Sequence, residues 1–271
     1  MSDDSLISTD VLSKKLTGKT CPLISIITVT FNSEKTIERT LKSVFRQSYK
    51  NIEHIVIDGA STDLTLSIIE KYRDSLAYFH SEVDSGVYDA MNKGLAIARG
   101  DIVAFLNSDD FYEEEGIIQR VVSEMENNQL DVLFGDVVFF RFGRPERTIR
   151  KFNSRKFRAD RLSWGWVPAH PGLFVRRPLF AKVGSFSPEY RIAGDFEFMV
   201  RLFKVPNLAY KHLDAVIVRM QLGGLSTQGY RSAWIGQMEL MKACERNDVS
   251  TNHFKLLSRY ILKILEYRLL L

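Results

Sequence analysis

Four polar residues, Asn107-Ser108-Asp109-Asp110, close an apolar run that extends from Ile102 to Leu106. Two carboxylates side by side at the end of a buried segment repel one another, and a cation relieves the repulsion. A hard divalent ion, Mg²⁺ or Mn²⁺, that also carries phosphate oxygens suits such ligands. The competing use of Asp109 or Asp110 is to cap the helix expected after them. Two further polar turns follow apolar runs, at Thr30-Phe31-Asn32 and at Asp58. Asp195 opens a helical segment carrying Phe198, Val200 and Leu202, either as an N-cap or as a general base held at a helix N-terminus. Trp164 and Trp166 flank Gly165 ahead of His170. Aromatic faces stack on the C–H surfaces of sugars, so these three residues are candidates for a saccharide wall. Core packing of one tryptophan and a structural role for the histidine are the alternatives.

These residues need a scaffold that brings them together. Leu23–Thr30 and Ile52–Ile57 read as strands, as does the Ile102–Leu106 run; Ala77–His80 is a weak one and Val132–Phe140 a long one. Between them, Ile37, Leu41, Val44 and Phe45 recur at helical spacing, as do Leu64, Ile68 and Tyr72, then Met91, Leu95 and Ala98, then Ile117, Ile118, Val121, Val122 and Met125. Asn32 or Ser33 is the expected cap of the first helix, with Glu34 in its first turn. Strand–helix alternation predicts a doubly wound, mostly parallel α/β sheet flanked by helices. Ligands of such sheets lie outside the carboxyl ends of the strands, where Asn32, Asp58 and Asn107–Asp110 fall.

Beyond 140 the pattern changes. Between Arg141 and Arg161, nine Lys and Arg face only Glu146 and Asp160. The segment reads as a solvated loop or as a basic cluster able to meet phosphate or an anionic head group. Gly172–Arg176 is an expected strand, Pro178 opens a short helix, and Ala209–Met220 is an expected strand pair. Gly223-Gly224-Leu225-Ser226 is a flexible turn ahead of a helix from about Tyr230 to Arg246. The last stretch, Phe254–Leu271, carries Leu257, Ile261, Ile264, Leu265 and Leu269 with Lys255, Arg259 and Lys263 on another face. A basic amphipathic helix of this kind lies on a membrane surface or packs on its own domain or on a second copy, making a homodimer. The chain thus divides into a loosely ordered leader (1–21), a domain (22–228) with halves 22–140 and 141–228, and C-terminal helices (229–271).

Composition narrows the classes. The chain has 271 residues, 45% hydrophobic and 26% charged, with net charge +4. That is an ordinary globular balance, mildly basic, suited to an anionic ligand and not requiring nucleic acid. Cys21 and Cys244 have no metal-ligand spacing and point to a reduced, cytoplasmic setting. No signal peptide or membrane-spanning run is evident. Gly18-Lys19-Thr20 mimics the end of a phosphate loop, but it precedes the first strand, and Ser13 stands where the loop's first glycine belongs.

Taken in order, Ile26-Ile27-Thr28-Val29-Thr30-Phe31-Asn32, Ile57-Asp58-Gly59-Ala60-Ser61-Thr62-Asp63, Asp84-Ser85-Gly86-Val87-Tyr88-Asp89-Ala90-Met91-Asn92-Lys93-Gly94 and Leu106-Asn107-Ser108-Asp109-Asp110 resemble the motifs of a family 2 glycosyltransferase across about Pro22–Ser226. The resemblance implies a GT-A fold with a C-terminal helical extension. It implies an inverting transfer of one sugar from a nucleotide-diphosphate sugar, usually a UDP-sugar, to a saccharide hydroxyl. By similarity, Thr30, Asn32 and Asp58 hold the nucleoside, and Asp89 and Asn92 lie near ribose or diphosphate, with Asn107 and Ser108 on the same donor side. Asp109 binds Mn²⁺ or Mg²⁺, Asp110 or water completes the shell, and Asp195 is the base. Trp164, Trp166 and His170 take the acceptor side. The expected acceptor is a lipid-linked saccharide of a surface polysaccharide, reached at the cytoplasmic membrane face. Two departures stand out. Asn107 replaces the first Asp of the Asp-x-Asp motif, and Asp58-Gly59-Ala60-Ser61 replaces the commoner Asp-Asp-Gly-Ser. The Gln-x-x-Arg-Trp motif of processive members is missing, so one sugar per encounter is expected. A sugar-phosphate nucleotidyltransferase would carry a glycine-rich basic loop at Thr30–Ser33, which is not there. A non-catalytic binder would have no use for both Asp109 and Asp195. A dinucleotide oxidoreductase would need Gly-x-Gly-x-x-Gly after the first strand.

Overall fold

The computed structural model describes residues 21–224 and 229–258. The expected leader, the end of the turn at Gly223–Ser226 and the amphipathic tail beyond 258 lie outside the described residues. In chain order the elements are β1 (Ile24–Thr30), α1 (Ile37–Phe45), β2 (Ile52–Asp58), α2 (Thr65–Glu70), β3 (Tyr78–Ser81), α3 (Val87–Ile97), β4 (Ile102–Phe105), β5 (Phe111–Tyr112), α4 (Ile117–Asn127), β6 (Val132–Phe140), β7 (Arg150–Phe152), β8 (Leu173–Arg176), α5 (Pro178–Val183), α6 (Gly194–Phe203), β9 (Tyr210–Gln221) and α7 (Tyr230–Arg246).

The strands form one mixed sheet, β3-β2-β1-β4-β8-β6-β9-β5, with β7 beside β6. β3, β2, β1 and β4 are parallel, as strand–helix alternation requires. The order changes direction at β1, which leaves a crevice beyond the carboxyl ends of β1 and β4. β8 then runs antiparallel to both β4 and β6, and β9 runs parallel to β6.

Every residue of β1 is buried, because helices cover both faces. Ile27 and Val29 pack with Tyr88 and Met91 of α3 and the apolar residues of α6. Ile24 and Ile26 point the other way, against Val44 of α1 and Ile117, Ile118 and Val121 of α4. This is the two-residue alternation of a strand with two covered faces. The approach of α3 is close: a Cβ on Gly94 would lie 2.4 Å from Ile27 Cγ2.

Four expectations are corrected. The first helix begins at Ile37, so Asn32 and Ser33 do not cap it; the Ser33 carbonyl accepts from the Thr36 and Ile37 amides in a preceding turn. Asp109 and Asp110 cap no helix, since β5 intervenes and α4 begins only at Ile117. Ala209–Met220 is not a strand pair but the single strand β9, whose register against β6 shifts around Asp136. That shift interrupts the ladder and supplies the irregularity that reads as a break in sequence. The basic 141–161 segment is not all solvated loop. β7 pairs with β6, Arg150 is buried over the Phe139 ring, and Lys151 pairs with the buried Asp136 at 2.9 Å.

Candidate active site

A cavity of about 1170 Å³ opens at the carboxyl ends of β1 and β4. Thr30, Asn32, Asn107, Ser108, Asp109, Asp110, Trp166, His170 and Asp195 all line it. Residues from α7, among them Ser232, Ala233 and Gly236, close another side. Three segments far apart in sequence therefore meet at one concavity, with carboxylates on both the β4 side and the α6 side.

The β4 side is built by a turn immediately after Leu106. Its backbone is held by the Asp110 amide donating to the Asn107 carbonyl at 3.1 Å. Asp110 is buried; its Oδ1 accepts from the Gln221 amide of β9 at 3.0 Å, while Oδ2 is buried without a protein partner. Asn107 Oδ1 is likewise buried and unpartnered. Burial holds the Asp110 carboxyl well above the usual carboxylate range, and the charge of Asp109 pushes it further. Burial also raises Asp109. Arg39 of α1 answers only part of this charge. It donates to the Asp109 carbonyl at 3.1 Å, and its guanidinium lies 4.8 Å from the ring centres of Phe111 and Phe140. Ser108 is buried and shares a 2.8 Å hydrogen bond with Ser33, which links the ends of β1 and β4.

These donors fit a hard divalent ion. Two adjacent acidic side chains with one buried unpartnered oxygen, and a second unpartnered oxygen on Asn107, are only partly compensated by Arg39. Among the described residues no group of three or more His, Cys, Asp or Glu converges on one point. An ion at Asp109 and Asp110 would need water and ligand phosphates to complete its shell.

Asn32 takes a left-handed backbone, φ 47°, and its side-chain oxygen accepts from the Thr62 amide at 2.9 Å. The same turn is anchored by the Asn32 amide donating to Ser61 Oγ at 2.8 Å. Thr30 Oγ1 is buried at the cavity edge without a partner.

On the opposite side, Asp195 is the second residue of α6, not its N-cap, which is Ala193. Its Oδ1 accepts from the Phe196 amide at 2.8 Å and faces the Tyr88 hydroxyl at 3.4 Å. Oδ2 has no protein hydrogen bond among the described residues. Asp195 thus presents a carboxylate oxygen at the cavity wall from the first turn of α6.

Several candidates stand elsewhere. The Asp58 carboxylate is fully buried and taken up by the Ser61 amide at 2.8 Å, Ser61 Oγ at 2.5 Å and Ser81 Oγ at 2.7 Å. It shapes the turn behind Asn32 and does not line the cavity. The turn departs from the common motif in a coupled way. A Cβ on Gly59 would lie 2.6 Å from Asp84 Oδ2, so the Asp84 carboxylate would have to shift to admit a side chain there, and Ala60 takes φ 62°. Asp89 accepts from the Ser85 amide at 3.0 Å, outside the cavity lining. Trp164 is 41% exposed with Lys255 over its ring and is also outside the lining, whereas Trp166 is within it. Asn92 is engaged twice by the Phe186 backbone, donating to its carbonyl at 2.7 Å and accepting from its amide at 2.9 Å. Asn92→Ala is therefore expected to cost about 1–3 kcal/mol of stability and leave nucleotide affinity nearly unchanged. Urea melts and calorimetry check this; unaltered stability with lost affinity would return Asn92 to the site.

Sequence reasoning passed over Glu239, Tyr88 and Arg39. Glu239 lies mid-helix in α7, where a single acidic residue carries no signal. Its carboxylate accepts from three successive backbone amides, Arg191, Ile192 and Ala193, each at 2.8 Å. It thereby fixes the turn that delivers Asp195, and the Tyr88 hydroxyl adds a 2.8 Å bond to the Ile192 carbonyl. Glu239→Ala should lower stability by about 1–3 kcal/mol and reduce turnover more than nucleotide binding. Intact turnover in a stably folded variant would show that Asp195 needs no such support.

Comparison with known proteins gives the family and the fold. The model of Glycosyl transferase family 2 matches residues 25–184. A PGL/p-HBAD biosynthesis glycosyltransferase of Mycobacterium bovis is 33% identical over 214 residues, covering 76% of this chain and 79% of that protein. Glycosyltransferase Rv1514c of Mycobacterium tuberculosis is 36% identical over 190 residues, 66% of this chain and 68% of that protein. Among solved structures, S. aureus TarS 1-349 in complex with UDP-GlcNAc superposes with a TM-score of 0.67 at 24% identity, over 85% of this chain and 67% of TarS 1-349. Mannosyltransferase PcManGT from Pyrobaculum calidifontis, in complex with GDP-Man and Mn²⁺, gives 0.61 at 21% identity, over 88% of this chain and 68% of PcManGT. At these identities the structural likeness concerns the fold.

Proposed function

Because the chain belongs to glycosyltransferase family 2 and is a glycosyltransferase, we propose that its cavity performs a single inverting transfer from a nucleotide-diphosphate sugar, most simply a UDP-sugar, to a saccharide hydroxyl. One observation carries the reading: the carboxylate-rich end of β4 and the carboxylate of Asp195 line one cavity from opposite elements. A sugar between them has its leaving group on one side and its incoming nucleophile on the other.

In this reading the nucleoside lies against Thr30 and Asn32, and the diphosphate lies at Asn107–Asp110. Asp109 and Asp110 hold Mg²⁺ or Mn²⁺, which when bound supplies Lewis-acid stabilisation of the diphosphate leaving group. Asp195 accepts the proton of the acceptor hydroxyl. The acceptor oxygen forms its bond to the anomeric carbon as the carbon–oxygen bond to diphosphate breaks, and the nucleoside diphosphate leaves with the electron pair. One base on the face opposite the leaving group is sufficient for inversion. Trp166 is the aromatic wall within reach of the acceptor.

Among the described residues no helix is long and apolar enough to cross a membrane. A lipid-linked acceptor at the cytoplasmic membrane face, in surface-polysaccharide synthesis, is proposed on two grounds: the basic residues between Arg141 and Arg161, and large apolar side chains left in solvent, Tyr230 at 92%, Trp234 at 65% and Phe254 at 80%. Incubation with UDP- and GDP-sugars, with and without Mn²⁺, should give a metal-dependent rise in melting temperature for one donor and release of its nucleoside diphosphate. No shift and no release with any donor would overturn the reading.

A further inference from the structure

His170 is a buried imidazole whose two ring nitrogens, Nδ1 and Nε2, have no hydrogen-bond partner in the protein. Its ring is nevertheless tightly placed. It stacks on Phe105 of β4 with centroids 5.5 Å apart, and meets Phe186 edge-on at 5.8 Å. Flanking prolines, Pro168 and Pro171, stiffen the turn that carries it. An isosteric phenyl ring would pack there without leaving polar atoms unpaired. Burying an unpaired donor and acceptor costs stability, so the fold alone gives no reason for an imidazole here.

The position supplies one. Because β8 runs antiparallel to β4, the turn before Leu173 lies beside the carboxyl end of β4. His170 thus sits next to the strand that carries Asn107–Asp110, and within reach of the Asp195 charge, which opposes the loss of basicity that burial imposes on the ring. It lines the same cavity as both. In the proposed reaction the transferred sugar occupies the space between those two groups.

We infer that His170 is a specificity-determining residue that hydrogen-bonds a hydroxyl of the transferred sugar, rather than an acceptor-side group. This rests on the donor-sugar reading above. A neutral imidazole offers one N–H donor and one acceptor nitrogen, which matches a hydroxyl's own donor and acceptor. Its aromatic bed fixes the ring plane and so selects the direction from which a hydroxyl is accepted.

The test compares nucleotide with nucleotide sugar. Wild type, His170→Phe and His170→Asn are titrated by calorimetry with UDP and UDP-GlcNAc, and with GDP and GDP-mannose, in Mn²⁺; thermal unfolding without ligand runs alongside. His170→Phe should melt at or above the wild-type temperature, bind the nucleotide unchanged, and bind the nucleotide sugar roughly three- to tenfold more weakly. His170→Asn keeps an amide donor and acceptor and should recover part of the loss. An unchanged gap between nucleotide and nucleotide sugar in His170→Phe would overturn the assignment, as would equal losses for both ligands. Wild-type protein that binds none of the four would instead remove the donor-sugar reading, and this assignment with it.

Discussion

Asp195→Asn should bind nucleotide sugar within about twofold of wild type yet transfer sugar 10²- to 10⁴-fold more slowly, roughly the worth of a positioned general base. The substitution keeps the side-chain shape. The amide oxygen still accepts from the Phe196 amide, and Tyr88 and Glu239 still hold the turn. Only the basic oxygen is lost. Single-turnover kinetics with saturating donor separates the two effects. Transfer at the wild-type rate would remove Asp195 as base, and a parallel loss of donor affinity would recast it as a binding group.

Asp109→Ala should weaken metal-dependent nucleotide binding by about 10- to 100-fold or more, while the ligand-free protein melts no lower. Both parts follow from the same electrostatics. Asp109 is held above its ordinary range by burial, and its charge raises Asp110 beside it. Without a cation the two carboxylates strain the fold, so removing one relieves it. With a cation they are its protein ligands, so removing one weakens the site that receives the diphosphate. Calorimetry with UDP, in Mn²⁺ and then in EDTA, measures this. Equal affinity in both buffers for the wild type would contradict the metal role.

How far the sequence reaches is clearest at the strand ends. Ile102–Leu106 followed by Asn107–Asp110 is a local signal, an apolar run stopped by polar residues, and the parallel half of the sheet follows from strand–helix alternation. The cap reading of Asp109 and Asp110 failed for a reason no helical periodicity carries. β5 is two residues long and exists because β9 pairs with it, Phe111 against Arg219 and Tyr112 against Val218. β7 was hidden in the same way: Arg150-Lys151-Phe152 looks solvated until Asp136 and Phe139 of β6 are set beside it. Long-range partners also separated residues expected to act together. Asn32 lies just past the end of β1 and Asp58 ends its neighbour β2, but Ser81 from β3 engages Asp58, and only Asn32 lines the cavity. Asn92 sits in a motif of the expected type and spacing, yet the Phe186 backbone claims its amide. The support that Glu239 gives to Asp195 spans 46 residues from its carboxylate to Ala193 and has no local trace.

The central claim is a single displacement across the cavity, with leaving group and base on opposite faces of the sugar. Proton NMR of the first product formed from an α-linked nucleotide sugar and its accepted saccharide tests it most directly. The account predicts a β-linked product from the earliest turnover, formed about 10²- to 10⁴-fold more slowly by Asp195→Asn. An α-linked first product would contradict it.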